Sequence, residues 1–272
     1  ILGTLPINLL YVASYLKQKG VDCKIYELGI FTPDKIVVSN NRYRCGISDS
    51  EILEIVKKEC QKIIGLGCMY SRHYIDILWI SKLIKGINPS VKVVLGGNHA
   101  SSFDEMVLKY EAIDFVVRGE GEITFYELCN AILAGENNFR NIKGITYKNE
   151  DGNIKKTIDR ELIENLDELS IDYSLVDVKK YAIVSRSSPF LMRYPAIGII
   201  SSRGCPGKCV YCTVKAVWGR SWRGKSAEKT VDEIELLHRK YVIHEFGFLD
   251  DSASLNKKRW NDICDEIIKR RL

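Results

Sequence analysis

The stretch that decides the fold is Val91-Lys92-Val93-Val94-Leu95-Gly96-Gly97-Asn98-His99-Ala100. An aliphatic run broken only by one lysine and stopped by a glycine pair predicts a short buried strand, Val91 to Leu95, that ends in a turn. Upstream, a helix is expected through Ile75, Leu78 and Leu83, and Ile63-Ile64-Gly65-Leu66 predicts another buried strand. Ser48 and Glu51 stand at capping-box spacing, predicting a helix that runs to about Cys60. Farther back, Val21 to Leu28 is a strand candidate. Pro6 to Lys19 reads as a helix with Leu9, Leu10, Ala13 and Leu16 on one face and Gly20 as its stop. Downstream come a helix near Phe103 to Tyr110, a strand from Asp114 to Arg118 and a helix from Glu122 to Leu133. Strand–helix alternation with continuous apolar strands predicts an α/β fold, a parallel sheet covered on both faces. One strand is wanting at the front. The chain opens at Ile1 without a Met and ends at Arg270-Arg271-Leu272 within a helix, so it reads as a piece of something longer.

Past residue 140 the pattern changes. Ile142 to Tyr147 and Asn153 to Thr157 flank Asp151-Gly152, a hairpin signature. From Asp159 to about Arg193 the chain is charged and irregular, the pattern of a linker. From Ala196 two strand–helix units follow. Strand Ile197-Gly198-Ile199-Ile200 precedes a helix marked by Val231, Ile234, Leu237 and Tyr241. Strand Phe246 to Leu249 precedes one marked by Leu255, Trp260, Ile263, Cys264 and Ile267. These begin a barrel or an open parallel sheet. The expected division is residues 1–140, 141–194 and 195–272.

Composition is that of a globular protein, 46% apolar and 28% charged, and a net charge of +5 is too mild to argue for nucleic acid or an anionic membrane. No apolar run nears the roughly 18 residues of a membrane span, and no secretory signal opens the chain. A cytoplasmic placement is therefore expected, and six of the nine cysteines (Cys23, Cys45, Cys60, Cys68, Cys129, Cys264) read as reduced, hydrophobe-like thiols, Cys264 in a helix core.

The other three cysteines lie in Ser202-Arg203-Gly204-Cys205-Pro206-Gly207-Lys208-Cys209-Val210-Tyr211-Cys212, just past a strand end. Pro206 and Gly207 keep this C-x-x-x-C-x-x-C loop from becoming helix, so the three sulfurs can converge. Three thiolates suit a 4Fe-4S cluster with one iron left open, whereas electron-transfer clusters usually take four. The competing reading is zinc, which needs a fourth ligand and commonly a second C-x-x-C pair that this chain lacks.

This loop resembles the signature of the radical S-adenosylmethionine superfamily, including the aromatic Tyr211 before the last cysteine. The resemblance implies that Cys205, Cys209 and Cys212 ligate the cluster and that Tyr211 lies near the adenine. It implies that S-adenosylmethionine chelates the open iron and is cleaved to a 5′-deoxyadenosyl radical. Asp250-Asp251, at the end of the second strand, stands where the family places a polar motif near the methionine amino group, though not in the glycine-glycine-glutamate form. A helix N-cap region is the competing reading of that pair.

In the first region Gly67-Cys68-Met69-Tyr70-Ser71, Gly96-Gly97-Asn98-His99 and Gly119-Glu120-Gly121-Glu122 follow successive strands. Singly such glycines are often only turns, but they also permit close backbone approach to a flat or anionic ligand. In this order they resemble the Rossmann-like (flavodoxin-like) cobalamin-binding domain that precedes the radical barrel in one subgroup. That resemblance implies cobalamin at Tyr70, Ser71, Gly96, Gly97, His99, Gly119, Glu120 and Gly121. The Asp-x-His-x-x-Gly motif of methionine synthase-type domains is absent. The lower cobalt position is thus expected open or water-bound, and His73 a solvated loop residue. The function implied is a cobalamin-dependent radical methyltransferase acting on a small molecule, with methylcobalamin as methyl donor and a flavodoxin or ferredoxin as electron donor. A cyclase or rearrangement enzyme with the same cofactors, and a non-catalytic cobalamin-binding module with structural zinc, are the alternatives. Residues for the substrate pocket are expected beyond Leu272 or around Arg186 to Arg193.

Overall fold

The computed structural model describes residues 5–28, 36–39, 42–59, 61–184 and 194–272. Cys60 and the segment from Arg186 to Arg193 lie outside them, as does the side chain of Cys45. Helix α1 (Ile7–Gln18) is followed by a two-stranded antiparallel ribbon, β1 (Ile36–Ser39) and β2 (Arg42–Cys45). Helix α2 (Asp49–Glu59) begins at the expected capping box: Ser48 N–H donates to Glu51 Oε2 at 2.7 Å, and Glu51 N–H to Ser48 Oγ at 3.3 Å. Next come β3 (Ile63–Gly67), α3 (Tyr74–Ile87) and β4 (Lys92–Gly96). After them stand two short helices, α4 (Asn98–Ser102) and α5 (Asp104–Leu108), then β5 (Phe115–Val117) and α6 (Gly121–Leu133).

Strands β3, β4 and β5 are parallel, with Ile64 opposite Val93 and Leu95 opposite Val116. Alternation along the strands splits the core. Val93, Leu95 and Val116 pack with Ile80, Ile84 and Val107, while Val94, Phe115 and Val117 pack with Leu128 and Ile145 on the opposite face. The hairpin β6 (Ile145–Lys148) and β7 (Ile154–Lys156) pairs antiparallel onto β5, Phe115 opposite Tyr147, and so carries the sheet past residue 140. Buried Arg118 pins it, donating to Thr146 Oγ1 at 2.6 Å, to the Thr157 carbonyl at 2.7 Å and to Asp159 at 2.7 Å.

Helix α7 (Val178–Val184) occupies part of the stretch expected to lack one, its Tyr181 and Ala182 buried. Beyond it, β8 (Ala196–Ile199) and β11 (Glu245–Phe248) pair in parallel around α8 (Ala227–Tyr241), and α9 (Lys257–Arg270) follows. Their core gathers Ile197, Ile199, Ile234 and Leu237, and also Leu10 of α1 and Tyr181 of α7. Helix α1 thus belongs to both units, because its opposite side meets α6, where a Cβ on Gly121 would lie 3.4 Å from Val12.

Two expectations are corrected. Residues 21–28 form no ladder among the described residues. Side chains hold the segment instead: Lys24 and Tyr26 bond Glu59, and Ile25 packs beside the second core. Cys264 is exposed, because the helical period turns Ile263 inward and leaves the next residue outward.

Candidate functional site

The loops that leave β3, β4 and β5 are stitched to one another at the C-terminal edge of the sheet, where parallel α/β folds hold ligands. Cys68 N–H donates to the Gly96 carbonyl at 2.7 Å, and His99 N–H to the Cys68 carbonyl at 3.1 Å. Gly97 has φ of 101°, and a Cβ there would sit 2.8 Å from the Cys68 carbonyl oxygen, so glycine is required. At Gly96 a Cβ would meet only the Val117 carbonyl, at 3.9 Å, and the position is open. Tyr70 and Ser71 are exposed, Tyr70 under the Arg72 guanidinium. His73 is exposed, as expected. His99 is enclosed: its ring lies 4.5 Å from that of Tyr74 and 5.0 Å from that of Phe103, and Nδ1 shares a hydrogen bond with Ser71 Oγ at 2.9 Å. Its Nε2 is buried without a partner among the described residues, and burial lowers its pKa. Gly119 N–H donates to Ser101 Oγ at 3.1 Å, and Gly121 opens α6.

The cysteine loop leaves β8 through β9 (Ser202–Arg203) and returns through β10 (Arg223–Gly224), which pair antiparallel with Arg203 opposite Arg223. This neck closes a loop that carries all three cysteines. Gly204, at φ of 83°, turns the chain out of the neck so tightly that a Cβ would collide with the Ser221 carbonyl. The neck rests on the first sheet. Arg203 donates to Glu120 at 3.0 Å and to Glu122 at 2.6 Å, and Arg223 to Glu120 at 3.0 Å. Burial opposes the charge on Arg203, but Glu122 and Glu120 overcome it and hold its pKa above the ordinary value. Its guanidinium also lies 4.6 Å from the Tyr11 ring. Both oxygens of Glu120 are thereby occupied. The carboxylate of this cobalamin-site candidate thus also forms a contact between the two units.

Cys205 is half-buried and Cys209 and Cys212 are exposed. A Cβ on Gly207 would lie 3.4 Å from Cys205 Sγ and 3.8 Å from Cys209 Sγ, so both sulfurs border the space that this glycine leaves empty. Cys212 N–H donates to the Cys209 carbonyl at 3.2 Å, turning the loop back. The sulfurs do not converge on one point: among the described residues no three His, Cys, Asp or Glu side chains are placed to hold a single metal ion. A four-iron cluster spreads its thiolates over separate irons, so the donor set of Cys205, Cys209 and Cys212, two of them beside the space at Gly207, fits such a cluster. Tyr211 and Val210 are exposed on the same loop.

At the end of β11 the two aspartates differ. Asp250 accepts from Ser201 N–H and Ser201 Oγ, both at 2.7 Å, and from Ser202 Oγ at 2.5 Å. Asp251 is exposed, its pKa raised by partial burial and then by Asp250. Neither caps α9, whose first turn is closed by Asn256 accepting from Arg259 N–H at 3.0 Å. Buried Arg259 braces the same strand end, donating to the Ser201 carbonyl at 2.8 Å and to Thr230 Oγ1 at 3.2 Å.

Sequence reasoning missed Ser101, Ser201, Ser202, Arg203, Arg223 and Arg259. Ser201, Ser202 and Arg203 signal themselves only as polar side chains crowding a strand end, which does not name partners, while Ser101 in α4 and Arg259 in α9 carry no such signal. A cavity of about 530 Å³ lies elsewhere, between α2 and α3, lined by Leu53, Trp79 and Leu83 with Lys57 and Lys82; no candidate site residue lines it.

The B12 binding domain family matches residues 4–129. An uncharacterized methyltransferase, PH0819, of Pyrococcus horikoshii is 36% identical over 96% of this chain and 52% of its own length. An anaerobic magnesium-protoporphyrin IX monomethyl ester cyclase of Synechocystis is 31% identical over 97% of this chain and 48% of its own. The chain thus spans about half the length of these curated relatives. The fold matches that of the radical S-adenosylmethionine methyltransferase TsrM from Kitasatospora setae, solved with cobalamin and a [4Fe-4S] cluster bound. The TM-score is 0.72, at 18% identity over 98% of this chain and 49% of TsrM. With a B12 binding domain followed by the three-cysteine loop on its strand, the chain belongs to the radical S-adenosylmethionine superfamily, in the subgroup with an N-terminal cobalamin-binding domain.

Proposed function

We propose that this chain is the cofactor-bearing part of a cobalamin-dependent radical S-adenosylmethionine methyltransferase acting on a small molecule at an unactivated carbon or phosphorus centre. One observation carries the reading: Glu120, at the ligand edge of the B12-domain sheet, is bonded to both strands of the neck that presents Cys205, Cys209 and Cys212. The two candidate cofactor loops therefore adjoin. When bound, the cluster would supply the electron that cleaves S-adenosylmethionine to the 5′-deoxyadenosyl radical, and cobalamin would supply the methyl group.

The chain's own residues would hold these groups. Cys205, Cys209 and Cys212 would ligate three irons and leave the fourth for S-adenosylmethionine. Asp251, exposed beside the fixed Asp250, would face the methionine ammonium, and Tyr211 the adenine. Tyr70, Ser71, Gly96, Gly97, Gly119 and Gly121 would border the corrin. His99, enclosed by Tyr74 and Phe103, would support Ser71 without reaching cobalt. Among the described residues no helix is long and apolar enough to cross a membrane. A cytoplasmic setting and a flavodoxin or ferredoxin electron donor belong to the same proposal, as does the division at residues 140 and 194.

Anaerobic reconstitution of the full-length protein with iron and sulfide tests the reading. The expected product is brown, carries about four irons per chain, loses them on Cys209→Ala, and binds hydroxocobalamin. Zinc at about one per chain with no iron uptake would sink it in favour of a non-catalytic module. The 31% identity to a cyclase favours a second reading, ring closure with the same cofactors. S-adenosylmethionine labelled with deuterium in its methyl group separates the two: methylation carries the label into product, cyclisation does not.

A further inference from the structure

Glu120 lies in the loop after β5, yet its carboxylate is spent on the cysteine loop. Oε1 accepts from Arg203 Nη1 at 3.0 Å and Arg223 Nη1 at 3.1 Å; Oε2 accepts from Arg223 Nη1 at 3.0 Å and from Ile163 N–H at 2.6 Å. Arg203 reaches on to Glu122 at 2.6 Å, and Arg223 to the Trp218 carbonyl at 3.0 Å. All four charged residues are at most 6% exposed. Two cations and two anions balance in a buried site, and the planar guanidinium groups make the contact directional as well as strong. Around this carboxylate the two loops touch directly. Gly119 is held by Ser101 of α4, and its missing Cβ would lie 3.7 Å from the Val217 carbonyl of the cysteine loop.

We infer that Glu120 is a positioning residue: it sets the separation and tilt between the loops after β4 and β5 and the loop that carries Cys205, Cys209 and Cys212. The inference rests on the reading that the first loops hold cobalamin and the last holds the cluster. Reactions between two bound groups fall off steeply with misplacement, about a hundredfold for 1 Å. A buried clasp whose one carboxylate grips both strands of the loop's neck supplies the required rigidity. Its carboxylate acts through Arg203, Arg223 and the Ile163 N–H.

The test uses the full-length protein with Glu120→Gln, which keeps the shape and removes the charge, and Glu120→Asp, which keeps the charge and shortens the reach. Iron, sulfide and cobalamin contents are expected to stay at the wild-type level in both. Pulsed EPR of the dipolar coupling between the reduced cluster and cob(II)alamin is expected to give a shifted or broadened distance distribution. In protein free of both groups, amide exchange across residues 202–224 is expected to rise about tenfold or more while Lys92–Gly96 keeps its protection. Unchanged coupling and unchanged exchange would overturn the inference and leave Glu120 as packing. Loss of the cluster from both variants would overturn it too, because the residue would then be needed to bind rather than to space. If Glu120→Gln does not fold, Glu120→Asp carries the same readouts. A wild-type protein that takes up neither iron nor cobalamin overturns the proposed function instead, while the exchange experiment still decides for or against the clasp.

Discussion

The carboxylate of Asp250 accepts both the backbone N–H and the hydroxyl of Ser201, each at 2.7 Å. It thereby ties the end of β11 to the end of β8, the strand from which the cysteine loop departs. Asp251, one residue on, has its side chain turned to solvent.

Neighbouring aspartates should therefore respond differently to substitution. Asp250→Ala strands the Ser201 donors and is expected to lower stability by about 1–3 kcal/mol, read as a shift in the urea midpoint. Asp251→Asn should stay within about 0.5 kcal/mol of the parent and instead weaken S-adenosylmethionine binding to the reconstituted protein, measured by calorimetry. Equal loss of stability in the two variants would contradict this division.

Thiol chemistry separates the cysteines. Burial pushes the thiols of Cys68 and Cys129 up to about 11 and about 12, and both are enclosed. Cys209, Cys212 and Cys264 are exposed. In metal-free protein a short pulse of iodoacetamide at pH 8 should alkylate these three and spare Cys68 and Cys129, as read by peptide mass spectrometry. After iron–sulfur reconstitution Cys209 and Cys212 should become resistant while Cys264 stays reactive. Protection of Cys264 alongside them would show that a different thiol set holds the metal.

Periodicity exposed most of the frame. Strands β3, β4 and β5 announce themselves as aliphatic runs, though β3, expected to be buried, is the outermost strand of the described sheet and stays half-exposed. The Ser48–Glu51 box forms with both bonds. The cysteine motif was equally legible because its chemistry lies within a few consecutive residues. What holds that motif in place was not. Arg203 and Glu120 are 83 residues apart, and nothing in the spacing of two charges says that burial will bring them together. For the same reason Glu120 could be read as a ligand contact, since its glycine neighbours are what a ligand loop would show. Helix α7 escaped because Val178–Val184 is too short to display a periodic face. Cys264 misled because an apolar residue beside an inward Ile263 looks like core until the helix phase is fixed.

The enclosed His99 gives a pH signature. Burial holds its pKa below the ordinary 6.5, so on acidification the unfolded chain takes up a proton near that value while the folded chain still refuses it. Its contribution to stability is therefore full above about pH 6.5 and is lost as pH falls through the depressed folded value. His73 is shifted in the same direction, so the slope of the wild-type protein alone does not isolate His99. The difference between wild type and His99→Gln does. It should shrink as pH drops below 6.5 in urea titrations at successive pH values, and a pH-independent difference would refute the assignment.

Two glycines of the first α/β unit should answer oppositely to one added methyl group. Gly86 lies in α3 with nothing within 4 Å of an added Cβ, so Gly86→Ala should stabilise by about 0.5–1 kcal/mol through the lower entropy of the unfolded chain. Gly97 combines a φ of 101° with a Cβ position 2.8 Å from the Cys68 carbonyl oxygen, and a backbone atom cannot step aside as a flexible side chain would. Gly97→Ala should cost more than about 1 kcal/mol. Because His99 N–H is bonded to that same carbonyl, the displacement should part the loops after β3 and β4 and weaken cobalamin binding beyond the loss of stability. Paired urea and hydroxocobalamin titrations on the two variants measure both effects. Equal cobalamin affinity in Gly97→Ala and the parent would remove this junction from the corrin face.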